Sequence, residues 1–309
     1  MKKIFNHPIV KIIEILLILL LLAYVLKPFF KDSDKIVEIL KSFNIIFLAL
    51  GFFLLSFVVS MYPLIWRSIL SKFGTKITID KAYKSWIYSN VGKYMPGKIW
   101  QFAGRVMLTK EAYGEVIIFT ILLETVIAGV AAIIVFLWGA LVGGIFTAKW
   151  VKYLSIALPI LITLLHPYFL KQILKILSKI RKTELHGNFT MKYRDILMYL
   201  VFYVILWILT GTAFRIMIQG SNLEMSLIDL ASSYALSWIL GYAAIFSPAG
   251  VGVREGSIVF LLNMKYPNIV SSSFAVLTRL AFICTDFILF GVFYLFFKTK
   301  EFLMKNEDS

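Results

Sequence analysis

Apolar runs separated by short polar segments follow one another along the whole chain. The first run, residues 12–26, follows the basic Lys2 and Lys3 and is not followed by a small-residue cleavage site, so it predicts an uncleaved first helix. Five longer runs cover residues 44–66, 116–137, 151–170, 196–218 and 271–297. Each can cross about 30 Å of hydrocarbon at about 1.5 Å of helix rise per residue. The pattern predicts an all-α polytopic membrane protein with six transmembrane helices.

Two further apolar stretches are interrupted by glycine, proline and charged residues. Residues 82–108 are broken at 92–98, and residues 227–262 are broken at 247–255. Backbone groups freed by such a break must be buried in protein or face water. Each stretch therefore predicts a re-entrant hairpin made of a half-helix, a Pro/Gly break and a second half-helix.

A faint internal repeat connects the two predicted hairpins. Trp66-Arg67, Gly74 and Pro96-Gly97 have counterparts at a nearly constant separation in Phe214-Arg215, Gly220 and Pro248. Three predicted crossings separate the copies, and an odd number inverts the second copy. We predict an inverted repeat, with repeat 1 at about residues 44–137 and repeat 2 at about residues 195–297. Broken helices in matching positions are typical of transporter-like folds with a site at the repeat interface.

The composition excludes a soluble, secreted or DNA-binding protein. Hydrophobic residues make up 60% of the 309 residues and charged residues only 16%, against roughly 25% charged residues in soluble domains. The single cysteine and the three isolated histidines predict neither a disulfide nor a metal site. We predict one integral-membrane domain, residues 1–309, located in the cell membrane.

The net charge of +15 then indicates topology. Basic residues collect in residues 67–110 and in a linker at about residues 171–194, which places both segments and both termini in the cytoplasm. Within the linker, residues 171–182 alternate basic and apolar positions at helical spacing. They predict either an interfacial helix on anionic lipid or an extension of the preceding crossing.

The first predicted hairpin has features of an anion site. Pro96 suits the start of a half-helix and Gly97 allows close approach to a ligand. The half-helix presents free N–H groups and a positive dipole end, and Lys93, Lys98 and Arg105 add positive charge. A lipid phosphate is the expected ligand; the alternative is that these lysines only touch headgroups at the cytoplasmic surface.

The second predicted hairpin repeats this chemistry. Pro248, Gly250 and Gly252 predict a tight turn with converging N–H groups. Arg254 follows them and can bind a phosphate with two donors, on the outer side, where basic residues are scarce. Glu255 is expected to complement the helix dipole, or to pair with Arg105 or another cation. A purely structural turn is the alternative.

Four charged residues within or near predicted crossings form a third group of candidates: Glu124, Arg215, Arg279 and Asp286. Each is costly unless it faces the interior of the bundle. We expect Glu124 to pair with Arg279. The group either lines a polar cavity that a headgroup or proton passes through, or forms structural ion pairs.

Lys93-Tyr-Met-Pro-Gly-Lys-Ile-Trp100, Gly104-Arg105 and residues 247–255 resemble the flippase-like transmembrane domain of lysylphosphatidylglycerol synthases. The resemblance extends over essentially the whole chain, with Ala249 where a second glycine is usual. It implies movement between leaflets, or recognition, of an anionic phospholipid or a polyprenyl-phosphate-linked glycan in cell-envelope biogenesis. Because the sequence ends at Ser309, the soluble aminoacyl-transferase domain of full-length members is expected to be absent.

Three functions stay open at this point. The leading hypothesis is a flippase whose lipid phosphate is held by half-helix N-termini, Lys98, Arg105 and Arg254. The alternatives are a membrane transferase acting on a lipid substrate, and a non-transporting partner of polysaccharide assembly. No phosphate-cradling nucleotide motif is present in the sequence, and no cofactor is expected. Expected partners are the lipid, the membrane, envelope-biosynthesis proteins and a second copy of the chain, but no nucleic acid.

Overall fold

The computed structural model describes residues 39, 41–94, 99–142, 149–181, 189–221, 223–244 and 247–307, and all regular structure within them is helical. The α-helices are α1 (Ile45–Ser71), α2 (Ile79–Asn90), α3 (Ile99–Leu108), α4 (Gly114–Val142), α5 (Lys149–Leu164), α6 (Pro167–Arg181), α7 (Tyr193–Met217), α8 (Leu227–Ala243), α9 (Val253–Leu262) and α10 (Asn268–Glu307). Two short 3-10 helices, η1 (Val91–Tyr94) and η2 (Pro248–Gly250), follow α2 and precede α9.

Four of these helices are long and apolar enough to cross a membrane: α1, α4, α7 and α10. They coincide with four of the predicted runs. The first predicted run, residues 12–26, lies outside the described residues. The chain is therefore an all-helical membrane protein.

The predicted run 151–170 is divided in the structure, so its extent as one helix was wrong. Helix α5 ends at Leu164 and a new helix, α6, begins at Pro167. Proline lacks an N–H and suits the first turn of a helix, where that N–H would have no partner. The basic segment from residue 171 therefore belongs to a separate helix and does not extend α5.

The order of helix lengths in the first half of the molecule recurs in the second half. A long helix, two shorter helices and another long helix follow one another as α1–α4 and again as α7–α10. Long helices α1 and α7 pack against each other, α4 packs against α8, and α10 packs against α2. Each half thus places its last long helix against the first short helix of the other half.

Matching local sequence features begin and end the corresponding helices. Thr78 and Ser226 cap α2 and α8, and each side-chain oxygen accepts a hydrogen bond from a backbone N–H three residues later. Gly74 and Gly220, which follow α1 and α7, have left-handed φ angles of 85° and 77°. Glycine adopts this conformation without steric cost and commonly ends helices.

Ion pairs connect helix ends that are distant in sequence. Lys72 Nζ lies 2.9 Å from Asp195 Oδ1 and joins the end of α1 to the start of α7. Lys265 Nζ lies 2.7 Å from Asp229 Oδ2 and joins α8 to the segment between α9 and α10. The hydrogen bonds to these carboxylates raise the pKa values of Lys72 and Lys265 above their ordinary value, so both lysines stay charged at neutral pH.

Candidate functional site

A cavity of about 520 Å³ lies where the two halves meet. This volume falls within the range of about 300–1,000 Å³ typical of small-ligand sites. Both halves contribute to the lining, through α1–α4 and through α7–α10. Aromatic side chains make up much of the wall: Tyr62, Trp86, Phe102, Tyr203, Trp207, Tyr234, Trp238, Tyr242 and Phe282.

A smaller pocket of about 20 Å³ adjoins this cavity. The two share Lys93, Tyr234, Ala249, Arg254 and Phe282 as lining residues. The smaller pocket is also lined by Tyr94, Glu255, Thr278 and Arg279. Its volume is enough for about one water-sized group, and its lining is charged. The site thus combines an aromatic chamber with a narrow cationic end.

On the first-half side, the cavity wall contains a buried ion pair. Arg105 Nη1 on α3 lies 2.8 Å from Glu124 Oε2 on α4, and the Arg105 side chain is only 1% exposed. The guanidinium also lies over the rings of Trp66 and Trp86, at 4.8 and 5.3 Å from their centroids. Arg105 is therefore neutralised and enclosed by protein groups.

The other oxygen of Glu124 is also satisfied. Trp86 Nε1 donates to Glu124 Oε1 at 3.3 Å, and the hydroxyl of Tyr203 donates to the same oxygen at 3.2 Å. A buried charge is tolerated only when it is paired and hydrogen-bonded in this way. The pair joins α3 and α4 of the first half to α7 of the second half.

Asp286 on α10 binds the end of α2 and the adjoining η1. Its Oδ2 lies 2.6 Å from Lys93 Nζ and accepts a hydrogen bond from the hydroxyl of Tyr94 at 2.5 Å. Its Oδ1 accepts a hydrogen bond from Asn90 Nδ2 at 2.8 Å. The long last helix is therefore fixed to α2 and η1 of the opposite half.

About two turns earlier on α10, Arg279 binds residues of η2 and α9. Its Nε lies 3.5 Å from Glu255 Oε1, and its Nη1 donates to the backbone oxygen of Ala249 at 3.1 Å. The second oxygen of Glu255 accepts a hydrogen bond from the N–H of Gly252 at 2.6 Å and so caps its own helix, α9. Helix α10 thus contacts η1, η2 and α9, and η1 and η2 also contact each other.

Arg254 differs from the other cations of the site. Its Nε is buried and has no hydrogen-bond partner among the residues that the structure describes. The side chain crosses α8 at Gly241, where a Cβ atom would lie 2.3 Å from Arg254 Cγ. Gly250 also leaves room for it, since a Cβ there would lie 3.1 Å from Arg254 Nε. Gly241 and Gly250 therefore make space for the Arg254 side chain, whose Nε–H is not bonded to any described residue.

The charged side chains around the two cavities indicate which ligand charge the site favours. Four cations and three acids line the two cavities within the described part of the chain. Each acid is paired with one cation: Glu124 with Arg105, Asp286 with Lys93, and Glu255 with Arg279. Arg254 is left over, so the lining carries one uncompensated positive charge. An anion is the ligand that restores the balance.

Two expectations from the sequence are wrong. Glu124 does not pair with Arg279, because each short helix that follows a break, α3 or α9, meets the next long helix of its own half. Arg215 does not face the interior; it is exposed in the last turn of α7, where a cation suits the helix dipole.

The remaining candidate residues divide by location. Lys93, Arg105 and Arg254 line the large cavity, Glu255 lines the small pocket, and Gly250 and Gly252 form the turn between η2 and α9 with φ angles of 72° and 79°. The turn begins at Pro248, the first residue of η2. The residues Pro96, Gly97 and Lys98 lie outside those that the structure describes. The expectation that Glu255 pairs with a cation is fulfilled by Arg279 and not by Arg105.

Several groups that shape the site could not be identified from the sequence. Gly241 looks like an ordinary small residue in an apolar helix, and Asn90 lies at the end of a polar-looking segment. The aromatic wall is dispersed over both halves of the chain. Its one regularity, Tyr or Trp at helical spacing in Tyr234, Trp238 and Tyr242, is equally compatible with simple core packing.

A comparison with known families gives one result that covers most of the chain. The family model described as "Lysylphosphatidylglycerol synthase TM region" matches residues 11–289. No protein in a curated collection matches the chain significantly.

Proposed function

Because the chain belongs to the lysylphosphatidylglycerol synthase TM region family, we propose that it holds an anionic lipid headgroup in the central cavity and moves it between the leaflets of the cell membrane. The lipid is an anionic phospholipid or a polyprenyl-phosphate-linked lipid of cell-envelope biogenesis. Its headgroup occupies the aromatic chamber while its hydrocarbon chains stay in the bilayer.

The uncompensated charge of Arg254 carries this proposal. A phosphate oxygen at Arg254 satisfies its unused buried donor and neutralises the excess charge that the described residues give the cavity lining. Arginine can give a phosphate two parallel donors and a charge at once. At the start of α9 the N–H of Gly252 is already bonded to Glu255 Oε2 at 2.6 Å, so Arg254 is the group that we expect to hold the phosphate.

The contacts of α10 suggest how the lipid is moved. Lys93 and Arg279 flank Arg254 in the small pocket, yet each is held by an acid, Asp286 or Glu255. A phosphate that enters competes with these acids for the two cations. Weakening the Lys93–Asp286 pair releases α10 from the first hairpin, and weakening the Arg279–Glu255 pair releases it from the second. Alternate release of the two hairpins would open the cavity to one side and then to the other.

The topology that we propose for this movement is six crossings with two re-entrant hairpins, arranged as an inverted repeat with both termini in the cytoplasm. The recurring helix order and the exchange of packing partners between the halves support it. Single cysteines at positions 188 and 222, made in a Cys284→Ser chain, test it. A membrane-impermeant thiol reagent added outside should label position 222 and not position 188, and the reverse pattern would exclude this topology.

Transport by the purified protein is the decisive experiment. The chain is reconstituted in sealed vesicles that contain fluorescently labelled phosphatidylglycerol or polyprenyl phosphate, and the fraction of label accessible outside is followed in time. Arg254→Ala should abolish the protein-dependent exchange, since a charge-assisted hydrogen bond contributes about 1.5–3 kcal/mol. Arg254→Lys should lose most of it because lysine lacks the planar fork.

Arg215→Ala is the matched control. Arg215 is exposed in the last turn of α7 and lines neither cavity, so its removal should leave the rate of exchange unchanged. Thermal melting in detergent shows whether each variant is folded. Wild-type exchange by a folded Arg254→Ala protein would remove Arg254 from the site and contradict the proposal.

A further inference from the structure

We propose that the headgroup accepted by this cavity is an uncharged sugar linked to phosphate, and not an aminoacylated, ammonium-bearing headgroup. The inference rests on the proposed function, because it assigns the chemical class of the lipid bound at the same site. Three properties of the lining carry it: its charge balance, the use of its aromatic faces and its unused hydroxyl groups.

The charge balance disfavours an ammonium group. An ammonium transferred from water into a buried site needs an acid as partner, because an unpaired buried charge is very costly. The three acids that line the two cavities are each held by a cation within 3.5 Å. Among the described residues the remaining charge is that of Arg254, and one phosphate neutralises it, so any further charge on the headgroup disturbs the balance. A neutral group on a phosphate matches this lining, whereas a cationic group does not.

The aromatic faces could in principle hold an ammonium by cation–π contact. In this cavity, however, Arg105 already occupies that type of position, over Trp66 and Trp86. Arg254 lines the same cavity as Trp238 and Tyr242 of α8, which stack on each other with centroids 5.2 Å apart. An aromatic wall of this kind offers apolar surface for the C–H face of a sugar ring and polar edges for its hydroxyls.

Unused hydroxyl groups complete the argument. The side chains of Tyr62 and Tyr234 line the large cavity, and neither hydroxyl forms a hydrogen bond with any residue that the structure describes. A hydroxyl both donates and accepts, so two such groups suit the hydroxyls of a sugar. A bare phosphate would leave them without a partner.

The sugar and the phosphate positions are adjacent in the fold. Arg254 crosses α8 at Gly241, which lies between Trp238 and Tyr242 along the helix and next to Tyr242. Trp238, Tyr242 and Arg254 line one cavity, so a sugar linked directly to a phosphate can contact the aromatic wall and Arg254 at the same time.

Equilibrium binding to the purified full-length chain in lipid nanodiscs tests the inference, with four probes that form two matched pairs. Polyprenyl phosphate is compared with the same polyprenyl phosphate bearing one glucose, and phosphatidylglycerol is compared with lysyl-phosphatidylglycerol. We expect the glucose to tighten binding roughly tenfold, and we expect the lysyl group to weaken it. Equal affinity for the first pair, or tighter binding of the lysyl lipid, overturns the inference.

Single substitutions test whether the preference for the glucosylated probe arises from the aromatic wall of the cavity. Trp238→Ala and the more conservative Tyr234→Phe should reduce the preference for the glucosylated probe over polyprenyl phosphate, measured as the ratio of the two affinities. Trp138→Ala is the control, since Trp138 is 42% exposed on α4 and lies outside the cavity lining. An unaltered preference in both cavity variants contradicts the inference. Failure of the wild-type chain to bind any of the four probes contradicts the proposed function itself.

Discussion

The two halves of the molecule use the same scaffold with opposite charges. In the first half the short helix α3 carries the cation, Arg105, and the long helix α4 carries the acid, Glu124. In the second half the short helix α9 carries the acid, Glu255, and the long helix α10 carries the cation, Arg279. In both halves an ion pair therefore joins the short helix that follows a break to the next long helix. The acid and the cation have exchanged places between the two halves.

The two ion pairs also differ in how completely they are satisfied. The Arg105–Glu124 pair is close at 2.8 Å and is surrounded by tryptophan rings and a tyrosine hydroxyl. The Arg279–Glu255 pair is longer at 3.5 Å, and the Arg279 side chain is 17% exposed. Beside it lies Arg254 with an unused donor. Both pairs line a cavity, Arg105–Glu124 the large one and Arg279–Glu255 the small one, but from the comparison we expect the first pair to contribute more to the stability of the fold.

The same substitution in the two acids distinguishes these roles. Glu124→Gln removes the charge that neutralises Arg105 and leaves that guanidinium buried without a counter-charge. Breaking a buried pair in this way destabilises proteins by about 3–5 kcal/mol. We expect the largest loss of thermal stability here, measured by melting in detergent, with much of the protein failing to fold.

An exposed pair provides the matched control for Glu124→Gln. Glu301 pairs with Lys84 at 3.0 Å, but its side chain is 60% exposed. Exposed pairs contribute about 0–1 kcal/mol, so Glu301→Gln should leave the melting temperature almost unchanged. If Glu124→Gln is no more harmful than Glu301→Gln, the first pair does not hold the fold together.

Glu255→Gln should have a clearly smaller effect on stability. A glutamine oxygen can still accept the hydrogen bond from Gly252 that caps α9, and Arg279 retains its bond to Ala249. The pair is long, at 3.5 Å, and both residues keep these other hydrogen bonds, so we expect a loss below the about 3–5 kcal/mol of breaking a close, fully satisfied buried pair. The positive charge of the pocket also increases, so phosphatidylglycerol and polyprenyl phosphate should bind more tightly in the nanodisc assay. A loss of stability equal to that of Glu124→Gln would remove the distinction between the halves.

Much of the helical framework could be predicted from the sequence because lipid imposes a simple rule. Four apolar runs of membrane-spanning length correspond to α1, α4, α7 and α10, since a backbone in hydrocarbon must satisfy its own hydrogen bonds. The run 151–170 was misjudged because Pro167 is compatible both with a kink and with a new helix start. Hydropathy does not distinguish these two outcomes.

The candidate site was predictable only where local chemistry was unusual. Arg254 could be identified because two turn glycines precede it and the predicted outer segments contain few other basic residues. The partner of Glu124 could not be identified in this way. The position of Glu124 along α4 follows from the sequence, but the neighbouring helix that its side chain faces does not. Gly241 makes room for Arg254 through a contact between two helices, and no pattern within α8 reveals such a contact.

The last and smallest expected effect concerns the backbone of the second hairpin. Ala249 has a φ of 49°, and among the described residues it is the one non-glycine with a positive φ. The left-handed conformation costs an L-residue with a Cβ atom about 1–2 kcal/mol, while glycine adds about 0.5–1 kcal/mol of entropy loss on folding. Ala249→Gly should therefore stabilise the fold by about 0.5–1 kcal/mol. Ala103→Gly, in the middle of α3, should destabilise it by a similar amount. If both substitutions lower the melting temperature, glycine does not relieve the strain at Ala249. The conformation of this backbone, which accepts the hydrogen bond from Arg279, would then be set by the residues packed around it.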